Sequence, residues 1–126
     1  MTESPRVALQ AAATIFVVKD VGKSVAHYQD VLGFHVEFTY GSPACYAGVE
    51  RGGALIHLQA AADSERQPGQ AAVYIFVTDV DTLYEELTSR GARILVEPKN
   101  YPYGMRDFAI TDLDGNQLSF GMDSST

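Results

Sequence analysis

The chain holds a single cysteine, Cys45, which excludes an internal disulfide, and no cluster of cysteine and histidine has zinc-site spacing. That usage fits a reducing compartment, so a cytoplasmic location is expected. No helix terminus or basic cluster flanks Cys45 to form a thiolate, and it reads as a packed thiol. Basic residues are scarce: nine Lys and Arg stand against sixteen Asp and Glu, for a formal charge of -7. Such a field repels a phosphate backbone and an anionic bilayer, which argues against nucleic acid and membrane as partners. It keeps the chain in solution and would also concentrate a cationic small molecule. Long apolar runs are missing as well. Ala11 to Val18 is apolar, but Glu3 precedes it and the repeat described next demands a strand there, so neither a targeting peptide nor a membrane span is expected. Low-complexity sequence is absent, and only residues 62–70, with Asp63, Ser64, Pro68 and Gly69, shift to turn composition.

What is present is one unit written twice. Ile15-Phe16-Val17-Val18-Lys19-Asp20-Val21 and Ile75-Phe76-Val77-Thr78-Asp79-Val80 each close an apolar strand and open a helix. Leu32-Gly33-Phe34 and Arg90-Gly91-Ala92 follow those helices, giving a period of about 60 residues. A length of 126 residues suits one core, so the two copies are expected to form a single domain over 1–126. The first copy reads as a strand over Ala12 to Val18 and a helix with Val25, Tyr28 and Leu32 inward. Strands over His35 to Tyr40, Cys45 to Val49 and Ala54 to Leu58 complete it. The first βαβββ module is placed at about 12–61, the linker at about 62–70 and the second module at about 71–123. In the second, Val73 to Val77 is a strand, and Val80, Leu83, Tyr84 and Leu87 form the inward stripe of a helix capped by Asp79 or Asp81. Arg93 to Glu97, Asp107 to Asp112 and Asn116 to Met122 are the remaining strands, the last two joined at Asp114-Gly115. Residues at matching points of the copies, Ala13 with Ala72 and His57 with Ser119, are expected to face one shared cavity.

Several of these residues stand in a familiar order. Asp20-Val21 with Ser24 and Tyr28, then Val31-Leu32-Gly33-Phe34, then Tyr103-Gly104-Met105-Arg106-Asp107-Phe108 running into Asp112-Leu113-Asp114-Gly115-Asn116, resemble the vicinal oxygen chelate superfamily. This superfamily holds the glyoxalases, bleomycin resistance proteins and dioxygenases. The resemblance spans nearly the whole chain and implies an α+β fold of two βαβββ modules, with curved sheets enclosing a cleft, in a homodimer. Enzymes of the superfamily hold a divalent metal with side chains from the first and last strands of each module, and those positions match Ala13, His57, Ala72 and Ser119. Alanine has no donor atom and serine is a poor ligand, so no metal and no cofactor are expected. A metal held instead by His57 with Glu37 or Asp107 is the minor reading.

The branch without metal ligands is similar to this chain in Tyr46-Ala47-Gly48-Val49 and Pro102-Tyr103-Gly104. Its bleomycin resistance proteins sequester a drug in a groove lined by aromatic rings, at positions matching Tyr46, Tyr74 and Tyr103. Phe76 shares the face of Tyr74, although a strand phenylalanine reads more readily as core. The leading expectation is a metal-independent, antibiotic-binding protein for a planar or cationic small molecule. Its site would hold Tyr46, Tyr74, Phe76, Tyr103, His57, Ser119 and Asp107, and acidic residues among Glu37, Glu50 and Asp107 would supply charge. The alternative is a glyoxalase-fold lyase, isomerase or dioxygenase-like enzyme that uses His57 as acid or base with a non-standard metal or none. Arg106 and Asp107 are expected to set their strand by pairing with backbone or with each other.

Overall fold

An aspartate starts each helix. In the computed structural model, which describes residues 6–124, Asp20 follows β1 (Thr14–Val18) and accepts from the Lys23 amide at the first turn of α1 (Val21–Asp30). Asp79 does the same for the Thr82 amide at the head of α2 (Val80–Ser89), after β5 (Ala72–Phe76). Both carboxylates satisfy an amide that the first helical turn leaves without a partner. Gly33 and Gly91 then take positive φ angles of 73° and 88°, which lets the chain leave each helix and turn into a strand.

The rest of each copy is a meander of strands: β2 (His35–Tyr40), β3 (Tyr46–Arg51) and β4 (Ala54–Ala60), then β6 (Arg93–Asn100), β7 (Met105–Thr111) and β8 (Gln117–Asp123). A short 3-10 turn over Ala61–Asp63 enters the connection between the copies. The first sheet is ordered β1-β4-β3-β2 and the second β5-β8-β7-β6, so each copy is a mixed, four-stranded sheet with one parallel pair. The α+β fold of two βαβββ units is therefore as expected. β2 coincides with the sequence reading, and the other strand limits differ from it by at most three residues. Ala12 and Ala13 lie before β1, and β6 runs past Glu97 through Pro98, which an edge strand tolerates because its outer amides need no ladder partner.

Each sheet buries one face. Phe16, Val49, Ile56 and Leu58 of the first sheet pack with Tyr28 of α1, and Phe108, Ile110, Leu118 and Phe120 of the second pack with Val80 and Leu87 of α2, in one continuous core. Alternation then sends the intervening residues to the opposite, helix-free face. That face carries the candidate site.

Candidate functional site

The motif Asp112-Leu113-Asp114-Gly115-Asn116 joins the two copies. Asp112 and Asn116 are both fully buried. Asp112 Oδ1 accepts from the amides of Asp114 and Asn116 at 2.9 Å each, and its Oδ2 accepts from Tyr28 Oη at 2.9 Å. Asn116 Nδ2 donates to the Val17 carbonyl in β1, while Asn116 Oδ1 accepts from the Ala71 amide just before β5. Burial, and then the Asp112 charge, push the Tyr28 hydroxyl well above its ordinary pKa, so it stays a donor. The motif is thus structural, a polar cluster in which every buried charge has partners. On the outer side, Arg51 forks onto Glu86 of α2 at 2.9 Å through both nitrogens and also donates to the Leu32 carbonyl. That bond lowers the pKa of Glu86.

On the free face of the first sheet, the register places Ile15, His57, Gly48 and Phe38 in one row, with Val17, Gln59, Tyr46 and Tyr40 in the next. Tyr46 Oη and His57 Nδ1 lie 2.8 Å apart, and Phe38 stacks on Tyr46 and meets the imidazole edge-on. Gly48 makes this possible, because a Cβ there would strike the Phe38 ring. Sequence reasoning placed Tyr46 and His57 in the site but missed Phe38. A shift in register between Val36 and Phe38 brings that ring over Gly48, and no linear spacing encodes it.

The free face of the second sheet has a different chemistry. Its rows are Tyr74, Ser119 and Ala109, then Phe76, Gly121, Asp107 and Lys99. Tyr74 Oη donates to Asp107 Oδ2 at 3.0 Å and Tyr103 Oη to the same oxygen at 3.3 Å. Burial, followed by that bond, pushes the Tyr74 pKa up to about 12, and burial followed by the Asp107 charge raises that of Tyr103. The Tyr74 ring lies over Gly121, where any Cβ would collide with its hydroxyl. Tyr101, which sequence reasoning also missed, stacks on Tyr103 with centroids 5.2 Å apart. Its signal was the Tyr101-Pro102-Tyr103 alternation.

Two expectations need correction. Phe76 is not core: 77% of it is exposed, because β5 is an edge strand and this face has no helix over it. Arg106 pairs with neither the backbone nor Asp107; it forks onto Asp81 of α2 at 2.8 and 3.0 Å and reaches Asn100, because its side chain alternates to the face opposite Asp107.

His57 and Ser119 stand at matching positions, paired with Ile15 and Tyr74 respectively, yet neither lines the crevice of about 880 Å³ between the copies. That crevice runs along the β5 edge among Leu32, Phe34, Val73, Ile75, Leu83 and Leu87, and of the predicted site residues it is lined by Tyr74 and Phe76. The residues at the family's metal positions do not fit a divalent ion. Ala13 and Ala72 lack donor atoms, His57 Nδ1 is held by Tyr46, and Ser119 Oγ accepts from Gln117 Nε2 at 3.1 Å. Among the described residues no group of three His, Cys, Asp or Glu is placed to hold a metal.

The sequence profile of the Glyoxalase/Bleomycin resistance protein/Dioxygenase superfamily matches residues 10–120. A search of the curated proteins finds no match. Among solved structures, the bleomycin-binding protein of bleomycin-producing Streptomyces verticillus, complexed with copper(II)-bleomycin, is similar with a TM-score of 0.74 and 28% identity, over 90% of this chain and 96% of that one. TioX of Micromonospora sp. ML1 shares the fold at a TM-score of 0.81 and 20% identity, over 90% and 98% of the two chains. TnmS3, an antibiotic binding protein of Streptomyces sp. CB03234, does so at 0.80 and 22% identity, over 96% and 100%.

Proposed function

The chain belongs to the Glyoxalase/Bleomycin resistance protein/Dioxygenase superfamily, and from that premise we propose that it is a metal-independent binding protein that sequesters a planar or cationic, antibiotic-like small molecule. The observation that carries this reading is the pair of aromatic faces, Phe38, Tyr46 and His57 on one sheet and Tyr74, Phe76, Tyr101 and Tyr103 on the other, with no metal donor at Ala13 or Ala72. Rings held at fixed spacing on a rigid sheet offer stacking at little entropic cost, worth ~0.5–1.5 kcal/mol per contact beyond burial. Tyr40, Tyr74, Phe76 and Tyr103 are exposed in the single chain, and apolar area of that kind marks a binding surface. Two copies of this one-domain chain, working as a cytoplasmic homodimer, cover those faces from both sides. The likeness to a bleomycin-binding protein at 28% identity supports the ligand class.

Thermal shift tests the reading. Copper(II)-bleomycin is expected to raise the melting temperature, Tyr103→Ala to remove most of the rise, and free nickel, zinc, manganese or iron to cause none. A shift with free metal and none with the drug would overturn it. A second reading rests on the Tyr46–His57 contact at 2.8 Å, which orients the imidazole and leaves Nε2 for a substrate proton. It predicts that His57→Ala abolishes turnover while ligand binding survives.

A further inference from the structure

Among the described residues, Asp107 is a carboxylate with no cation paired to it. It is 8% exposed, its hydrogen bonds come from the two neutral phenols of Tyr74 and Tyr103, and among the described residues no Lys, Arg or His forms an ion pair with it. Its neighbour Arg106, the nearest cation in sequence, is committed to Asp81. A charge taken this far out of water is costly unless a counter-charge meets it.

Rings surround the carboxylate. Tyr74 and Phe76 have centroids 5.3 Å apart, Tyr101 and Tyr103 stack at 5.2 Å, and both Tyr74 and Tyr103 touch Asp107 Oδ2. A phenol that donates to a carboxylate gains electron density in its ring and attracts a cation more strongly. The chain already lays a cation of its own on this cluster: Lys99, cross-strand partner of Asp107, sets Nζ over the Tyr101 ring at 4.9 Å. A divalent metal is poorly served here, since one carboxylate and four ring faces do not replace its oxygen shell. A weakly hydrated organic ammonium is well served, because its apolar substituents meet the rings while its charge meets Asp107.

We infer that Tyr74, Phe76, Tyr101, Tyr103 and Asp107 form a subsite for an organic ammonium group, which Lys99 holds as an internal competitor until ligand arrives. This rests on the small-molecule binding role proposed above and assigns the charged part of the ligand to the second sheet. The first sheet, with Phe38, Tyr46 and His57, is left for a neutral, planar part.

The test titrates the full chain with choline and with its uncharged isostere 3,3-dimethylbutan-1-ol, following Tyr101 and Tyr103 by NMR. Choline is expected to bind at least about tenfold tighter than the alcohol. Asp107→Asn should abolish that preference, and Tyr103→Leu, in an exposed loop where folding is not at stake, should weaken choline. Lys99→Gln should strengthen it by about threefold, an effect that a merely structural lysine would not produce. Equal binding of the two probes, no binding at about 10 mM, or weaker choline binding in Lys99→Gln would overturn the inference. A parallel thermal shift with copper(II)-bleomycin separates the two claims. A drug shift without choline preference sinks the ammonium subsite alone, whereas choline preference without a drug shift sinks the antibiotic reading alone.

Discussion

The two sheets share a backbone and differ in what they offer. Ile15 and Tyr74 each stand five residues before a capping aspartate, Asp20 or Asp79, and pair with His57 and Ser119, which brings the two registers into correspondence. Under that correspondence Val21 matches Val80 and Tyr28 matches Leu87, all of them buried. On the free faces the match breaks: Tyr46 of the first sheet answers to Asp107 of the second, and Ile15 to Tyr74. The core face must fill a fixed space at close-packed density, so substitutions there are constrained in size and polarity. The free face has no helix packed on it, so it escapes that constraint and carries a phenol and imidazole in one half and a carboxylate among phenols in the other. A duplicated scaffold thus presents two unlike surfaces.

The sharpest way to break the comparison is to cut the cluster that joins the halves. Asp112→Ala leaves the Tyr28 hydroxyl and two backbone amides without their acceptor and removes one of the two acceptors of Asn116 Nδ2, and about 3–5 kcal/mol of stability should be lost in a urea titration, with both sheets unfolding together. A loss below ~1 kcal/mol would mean that the halves are held by apolar contact alone. Next come the two glycines. Gly121→Ala displaces the Tyr74 ring from Asp107 and should weaken an ammonium ligand about tenfold with little change in melting temperature; Gly48→Ala, acting on Phe38 in the other half, should leave that ligand alone. If both glycines affect the same ligand equally, the faces are not distinct in function. Arg51→Ala removes the fork onto Glu86 across the halves, and because water reaches both side chains the expected loss is only about 0.5–1 kcal/mol.

The smallest effect is one of pH. The folded-state pKa of Tyr74, about 12, lies above its ordinary value of 10.0, so its neutral form is favoured by folding. The stability it contributes is complete below pH 10 and is lost as pH rises toward 12. The difference in stability between the wild type and Tyr74→Phe should therefore shrink across that window, whereas a constant difference would show that the phenol's ionisation is not linked to folding.

The free face was only partly legible before the fold was in view. Tyr46, His57, Tyr74, Tyr103 and Asp107 were singled out from strand parity and resemblance, and all five lie on helix-free faces. Phe38, Tyr101 and Lys99 were not, while Phe76 was placed in the site beside Tyr74 with core as its more ready reading. Those misses share a cause. Phe38 meets His57 across a strand pair with an irregular register, and Tyr74 meets Asp107 across 33 residues of chain. Neither contact leaves a period in the sequence.

Local order is another matter. Capping aspartates, positive-φ glycines, alternating strands and the repeat act through near neighbours in the chain, and these interactions exist wherever the segment folds. They mark out the strands and helices of two βαβββ units, and the apolar face of each, from the sequence itself. Which rings meet, which carboxylate loses its water and which cation is drawn away depend on register and on the packing of one half against the other. Those contacts gain their energy only when distant residues are brought together, and so the tertiary structure alone decided that Arg106 goes to Asp81 while Asp107 is left among phenols.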